Sequence, residues 1–255
     1  METLEGKTIP YDQFESFPRT CSWNLPFPRL DKTQHFFVKC NIVPSAAGSA
    51  YIEVEKTKVM CFVIGPSKKL VNADGQGCSS TTGILDVTVR YAPYAKPERI
   101  HRARRDSVLD EESKIKRFAQ VALFPAVRLL RYPKRQIQLL INVLEDDGNA
   151  LIAALNCSSL ALASSKIQMF DLLISGTMSY PADNAEAATV TASFLPAVEQ
   201  FCSVHIEGVL MESEFREALE KLKHTCKEML YPAMRSELLD SLKNEEKRLE
   251  GYNKS

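Results

Sequence analysis

The stretch from residue 137 to residue 165 constrains this chain most. Residues 137–144 are a near-continuous apolar run that ends in Glu145-Asp146-Asp147-Gly148, the pattern of a buried strand stopping at a sharp turn. Residues 149–165 then read as a helix of small side chains. Ala150, Ala153, Ala154, Ala161 and Ala163 let its backbone lie close against a sheet, which suits a central, buried helix. That helix is expected to tolerate substitution least of all the elements.

The segments around this pair set the fold class. Residues 36–43, 49–55 and 58–64 are short, β-branched and aromatic-rich. Glu55-Lys56 falls where a tight turn between two of them belongs, so three strands open the fold as a meander. Residues 72–83 read as an exposed loop of Gly, Ser and Thr, and residues 84–91 as a fourth strand. Ser107 followed by Asp110 resembles a helix-capping pair. A helix is predicted over 108–131, bent by Pro125 and stopped by Pro133. Three further strands are predicted over 169–178, 189–195 and 201–206. Phe215, Leu219, Leu222, Cys226 and Met229 mark an amphipathic terminal helix that Pro232 bends or ends. Strands, then alternating helix and strand, then a terminal helix indicate α+β.

Charge and cysteine usage narrow the partners. Lys plus Arg and Asp plus Glu both number 32, so no net field steers the molecule towards a polyanion, and any such site must be local. The seven cysteines include no CxxC pair, which reads as reduced thiols in a cytosolic or nuclear compartment. Residues 1–20 carry no apolar run, so neither a secretory nor a transit peptide is expected. The longest uncharged run, 148–165, contains too many Asn and Ser residues to cross a lipid bilayer.

Most motifs tested fail. Gly65-Pro66-Ser67-Lys68-Lys69 lacks the second glycine of a phosphate-binding loop, and Gly75-Gln76-Gly77 opens no helix. The histidines at 35, 101, 205 and 224 share no metal-ligand spacing, so no metal or other cofactor is implied. Asp146-Asp147 at a strand end suits an acid/base pair or a metal hook, and equally a turn with a helix N-cap, which is the commoner use of Asp there. Lys96, Arg99, Arg102, Arg104 and Arg105, beside Tyr94 and His101, form the one concentrated basic segment. It can neutralise several phosphates, or serve as a solvated loop or import signal.

Longer runs resemble a known family. Gly48-Ser49-Ala50-Tyr51-Ile52-Glu53-Val54, Thr57-Lys58-Val59 and Gly65-Pro66 are similar to the opening sheet of the RNase PH family. Arg90-Tyr91-Ala92-Pro93-Tyr94, Arg131-Tyr132-Pro133, the 143–148 block and Asn156-Cys157-Ser158-Ser159-Leu160-Ala161-Leu162-Ala163 follow in the family's order. The resemblance covers roughly residues 20–250. It implies the RNase PH-like fold (ribosomal protein S5 domain 2-like), with mixed sheets packed on helices, as one domain over 21–250 between an extension (1–20) and a tail (251–255).

Active members of that family hold the attacking phosphate with a Gly-Thr-Arg motif after the strand-ending Asp. This sequence has Asn149-Ala150-Leu151 there. Active members also carry two aspartates before the strand equivalent to 189–195. The matching positions are Ala182 and Ala188, with only Asp183 nearby. Both losses imply a non-catalytic paralogue with no catalytic or metal-binding residues, similar to the RNase PH-like ring subunits of the eukaryotic RNA exosome, the mRNA-transport type in particular. That resemblance implies a heterohexameric ring with other RNase PH-like exosome subunits, S1/KH cap proteins, a hydrolytic nuclease and single-stranded RNA in the pore. It also implies residence in nucleus, nucleolus and cytoplasm, and contact between RNA and the 96–105 loop. The rival reading is a phosphate-dependent 3′-to-5′ exoribonuclease rebuilt from Asp146, Asp147, Asp183 and the basic loop. A weaker third is an unrelated enzyme on the same fold.

Overall fold

Alternating apolar residues build the first sheet of the computed structural model, which describes residues 36–68, 82–96, 99–100, 105–180 and 188–252. Strands β1 (Phe36–Cys40), β2 (Gly48–Val54) and β3 (Thr57–Lys68) form the expected antiparallel meander. Glu55, at φ 54°, makes the tight turn between β2 and β3. β4 (Ile84–Tyr91) runs parallel to β5 (Arg135–Glu145), and the sheet order is β1-β2-β3-β5-β4. Parallel neighbours need a crossover, and α1 (Arg105–Leu123) supplies it. Residues 72–81 of the loop expected over 72–83 lie outside the described residues.

Two expectations are corrected in this half. Residues 137–144 are buried on one face only: Ile137, Leu139, Ile141 and Val143 are fully enclosed, whereas Gln138, Leu140, Asn142 and Leu144 are half-buried. The apolar run therefore includes side chains that only half leave solvent. The first helix ends at Leu123 rather than bending on to 131. Pro125 offers no N–H to Val121 and disfavours helical backbone at Phe124. The chain turns instead, Val127 makes an isolated bridge to Met169, and Leu129–Arg131 is a single 3₁₀ turn.

The second sheet is the antiparallel set β6 (Ile174–Tyr180), β7 (Ala188–Leu195) and β8 (Gln200–Glu207). β6 begins later than the expected residue 169, because Met169 and Phe170 are used against 126–127. The last helix is not simply bent. α3 (Glu212–Thr225) passes through a π turn at Cys226–Leu230 into α4 (Tyr231–Tyr252). The wider turn lies over the position where the Pro232 ring would crowd the carbonyl four residues earlier.

Helix α2 (Ala150–Ser164) joins the two sheets, and 13 of its 15 residues are buried. Its fit to β2 depends on Gly48, where an added Cβ would fall 2.5 Å from the Ala161 carbonyl oxygen and against the Ser165 nitrogen. Its fit to β6 depends on polar side chains. The Asn156 Nδ2 donates to the Ser175 carbonyl at 3.0 Å, the Ser175 N–H donates to Asn156 Oδ1 at 2.7 Å, and the Leu173 N–H donates to Ser159 Oγ at 2.8 Å. A fully enclosed carboxamide thus satisfies a backbone donor and acceptor that no neighbouring strand reaches. Cys40, Cys61, Cys157, Cys202 and Cys226 are free thiols. Burial pushes Cys40 and Cys226 up to about 12, so both stay protonated. No described helix is long and apolar enough to cross a membrane.

Candidate functional site

A cavity of about 760 Å³ opens where the two sheets, α1 and the start of α2 meet. The end of β5 and Asn149, Ala150 and Leu151 form its floor, and the polar face of the second sheet forms a wall. Strand alternation explains that wall. Ile174, Gly176 and Met178 share one face of β6, and Gly176 faces Leu222 and Cys226, so Thr177, Thr191 and His205 turn the other way, into the cavity. The Thr177 and Thr191 hydroxyls lie 3.2 Å apart.

Asp146 sits half-buried at the lip. Its backbone N–H donates to the Ala95 carbonyl at 2.8 Å, its Oδ1 accepts the Gly148 N–H at 2.8 Å, and its Oδ2 accepts the Tyr91 hydroxyl at 3.3 Å. Burial first, then the neighbouring Asp146 carboxylate, pushes the Tyr91 phenol far up, so it stays a donor. Asp147 is exposed, and its N–H donates to Thr57 Oγ1 at 3.1 Å. The pair is therefore used as a turn. The helix N-cap is Asn149, not an aspartate, and its side chain makes no capping bond.

The five basic residues singled out from the sequence are not placed alike. Lys96 lines the cavity with its Nζ 2.6 Å from Glu111 Oε1 and 5.7 Å from the Tyr91 ring centre. Arg99 is exposed, as is Tyr94. Arg105 is the first residue of α1, and Arg102 and Arg104 lie outside the described residues, as do Ala182 and Asp183.

Sequence reasoning missed the α1 and β8 side of the site. Lys114 of α1 pairs with Glu207 of β8, and His205 Nε2 lies 3.3 Å from the same carboxylate. The Lys114 ammonium holds the Glu207 carboxyl below its ordinary value, partly opposed by burial. Phe118 meets the His205 ring edge-on at 5.6 Å. Alternation along 200–207 put His205 and Glu207 on one face, but only the packing of the sheet against α1 says that this face lines a cavity.

The lining charge is the chemically decisive feature. Glu55, Glu111, Asp146, Asp147 and Glu207 oppose Lys96 and Lys114, and both lysines are already ion-paired. Among the described residues of the lining, carboxylates therefore outnumber ammonium groups, and a free phosphate entering here meets that excess.

Residues 33–168 match the family model described as "3' exoribonuclease family, domain 1", the RNase PH family. The chain belongs to this family. It is 32% identical to the human exosome complex component MTR3 over 227 residues, covering 80% of this chain and 81% of that one. It is 27% identical to the exosome complex component Rrp41 of Nitrosopumilus maritimus, covering 83% and 88%. Among solved structures it superimposes on rice Rrp46 with TM-score 0.65 at 16% identity, covering 80% of this chain and 95% of that chain. It superimposes on a chain of the Archaeoglobus fulgidus exosome with RNA bound to the active site with TM-score 0.59 at 18% identity, covering 76% and 86%. These neighbours establish the RNase PH-like fold that the resemblance implied.

Two of the positions singled out by the resemblance lie among the described residues. Leu151 packs against the core at the edge of the cavity. Ala188 is 1% exposed and lies beneath Gly208, whose added Cβ would fall 2.9 Å from the Ala188 Cα.

Proposed function

We propose that this protein is a non-catalytic structural subunit of the RNA exosome core ring, supporting the threading of RNA for 3′-to-5′ processing and decay. The observation that carries this reading is the cavity itself. Leu151, which the family resemblance matches to the phosphate-holding Arg, packs against the core, Ala188, which it matches to one of the carboxylates, is buried, and the described lining carries more carboxylates than ammonium groups. The attacking phosphate would have no arginine at position 151 to hold and orient it. The partners would be RNase PH-like ring subunits, S1/KH cap proteins and a hydrolytic nuclease, in nucleus, nucleolus and cytoplasm. β8 supports an assembled state: it is an edge strand whose Val204 and Ile206 are exposed, and such edges are normally covered.

The test is direct. Incubated with RNA, inorganic phosphate and Mg²⁺, the protein alone or with one ring partner releases no nucleoside diphosphates above the partner's own rate. Phosphate-dependent shortening that disappears in an Asp146→Asn variant would overturn the reading and favour the rebuilt exoribonuclease.

RNA contact is assigned to Lys96, Arg99, Arg102, Arg104 and Arg105. Each phosphate contact of a single strand contributes about −0.7 to the slope of log K against log salt. Arg99→Glu/Arg102→Glu in the assembled ring is therefore expected to flatten that slope by about 1.4, without sequence preference. An unchanged slope and an unchanged nuclease-protection length, with the protein displaced from the nucleus in cells, would identify the segment as an import signal instead.

A further inference from the structure

Two consecutive carboxylates of α1 hold the segment that leaves β4. The Glu112 side chain, 12% exposed, accepts the Tyr91 N–H at 2.9 Å and lies 3.5 Å from the Arg90 guanidinium. β4 is an edge of its sheet, so this N–H has no strand to meet and the carboxylate supplies its acceptor. Glu111, one residue earlier, turns both of its oxygens to the Lys96 ammonium, each 2.6 Å from Nζ. The same ammonium lies 5.7 Å from the centre of the Tyr91 ring.

The main chain beside Lys96 is pinned. Ala95 is 1% exposed, its carbonyl accepts the Asp146 N–H at 2.8 Å, and its N–H donates to the Ala92 carbonyl at 2.9 Å. Lys96 therefore starts from a fixed point, and its ammonium can meet two kinds of anion there. One is the Glu111 carboxylate. The other is a phosphate arriving from solvent, to which the pair stays open because its side chains are 31% and 41% exposed. An ammonium paired in this way presents almost no net charge to an approaching phosphate. A half-exposed pair is worth about two- to fivefold in an equilibrium, which is enough to compete with a single phosphate contact and too little to lock the lysine away.

We propose that Glu111 takes the place of a phosphate on Lys96, so that RNA gains this lysine only by displacing the carboxylate, and that Glu111 thereby holds down the affinity of the 96–105 segment for RNA. The inference rests on the assignment of RNA contact to that segment. It makes Lys96 a conditional contact, withheld while Glu111 holds it, and Glu111 a positioning residue that acts on RNA through Lys96 alone.

The experiment measures binding of a labelled single-stranded RNA to the assembled ring across a salt series. Glu111→Gln, which keeps the shape and removes the charge, is expected to tighten binding about two- to fivefold. It is also expected to steepen log K against log salt by about 0.7, one added phosphate contact. Asp110→Asn removes an exposed carboxylate one residue away and is expected to leave the slope unchanged. In a Lys96→Met background, Glu111→Gln is expected to bring neither gain. If Glu111→Gln does not assemble, Glu111→Asp, which keeps the charge but withdraws it from Lys96, is read by the same slope. A Glu111 variant that lowers Tm without moving the slope marks a merely structural ion pair and overturns the inference, as does a gain that survives without Lys96. Arg99→Glu/Arg102→Glu tells the two failures apart. If it still flattens the slope, only the competition by Glu111 is lost. If it too leaves the slope unmoved, the assignment of RNA to the segment falls as well.

Discussion

Asn156→Ala is expected to unfold this protein more readily than almost any other single substitution. The side chain is fully buried in α2 and meets both backbone groups of Ser175, at 3.0 Å and 2.7 Å. Alanine leaves one enclosed N–H and one enclosed carbonyl without partners, each costing about 1–3 kcal/mol. The sum, about 2–6 kcal/mol, corresponds at this chain length to a fall in Tm of roughly 4–24 °C. Asn156→Asp should be little better, since it keeps the acceptor but loses the donor and places a charge in the core. Ser159→Ala removes only the acceptor for the Leu173 N–H, so about half the loss is expected. Thermal unfolding of the three variants in the assembled complex and in isolation checks the ordering. A loss below about 1 kcal/mol for Asn156→Ala would mean that water or a shifted strand replaces the carboxamide, and the clamp between α2 and β6 would have to be abandoned.

That clamp also marks where the sequence ceased to be legible. The opening meander, the crossover helix, the central small-residue helix and the later strands could be placed because period and turn chemistry are local. Pro125 announced a break in the first helix, but whether a proline bends or ends a helix depends on what receives the chain afterwards. Here the 126–128 segment finds partners at Gln168, Met169 and Phe170, contacts formed across a long sequence separation that no local pattern carries. The same holds for the cavity. Asp146 and Asp147 are visible from the strand-turn-helix pattern and Leu151 from the family resemblance, whereas Lys114, His205 and Glu207 lie on elements whose inward face is set by sheet packing. Apolar periodicity marks a core face. It cannot mark a polar face that borders a cleft, because a solvent-facing strand edge has the same pattern.

Gly48→Ala is the second substitution expected to have a large effect, and glycines elsewhere in the chain define why. At Gly48 the obstacle to a Cβ is backbone, the Ala161 carbonyl oxygen at 2.5 Å and the nearby Ser165 nitrogen. Neither can rotate away, so β2 and α2 must separate along the line where Ala50, Ile52, Cys157 and Ala161 are all fully buried. Overpacking of a rigid core costs about 1–3 kcal/mol and more when backbone must shift, so a loss at or above the top of that range is expected. At Gly176 the nearest atoms, both at 3.2 Å, are the Cys226 Sγ and the Leu222 Cδ2, side-chain ends that can yield, so Gly176→Ala should cost about 1 kcal/mol or less. At Gly148, φ is +94° and nothing lies within 4 Å. Its alanine variant meets only the strain of a left-handed backbone, about 1–2 kcal/mol. The expected order of Tm losses is therefore Gly48, then Gly148, then Gly176. If Gly48→Ala were no worse than Gly176→Ala, β2 and α2 could part at little cost, and the close seam between the first sheet and the central helix would not be what holds the two together.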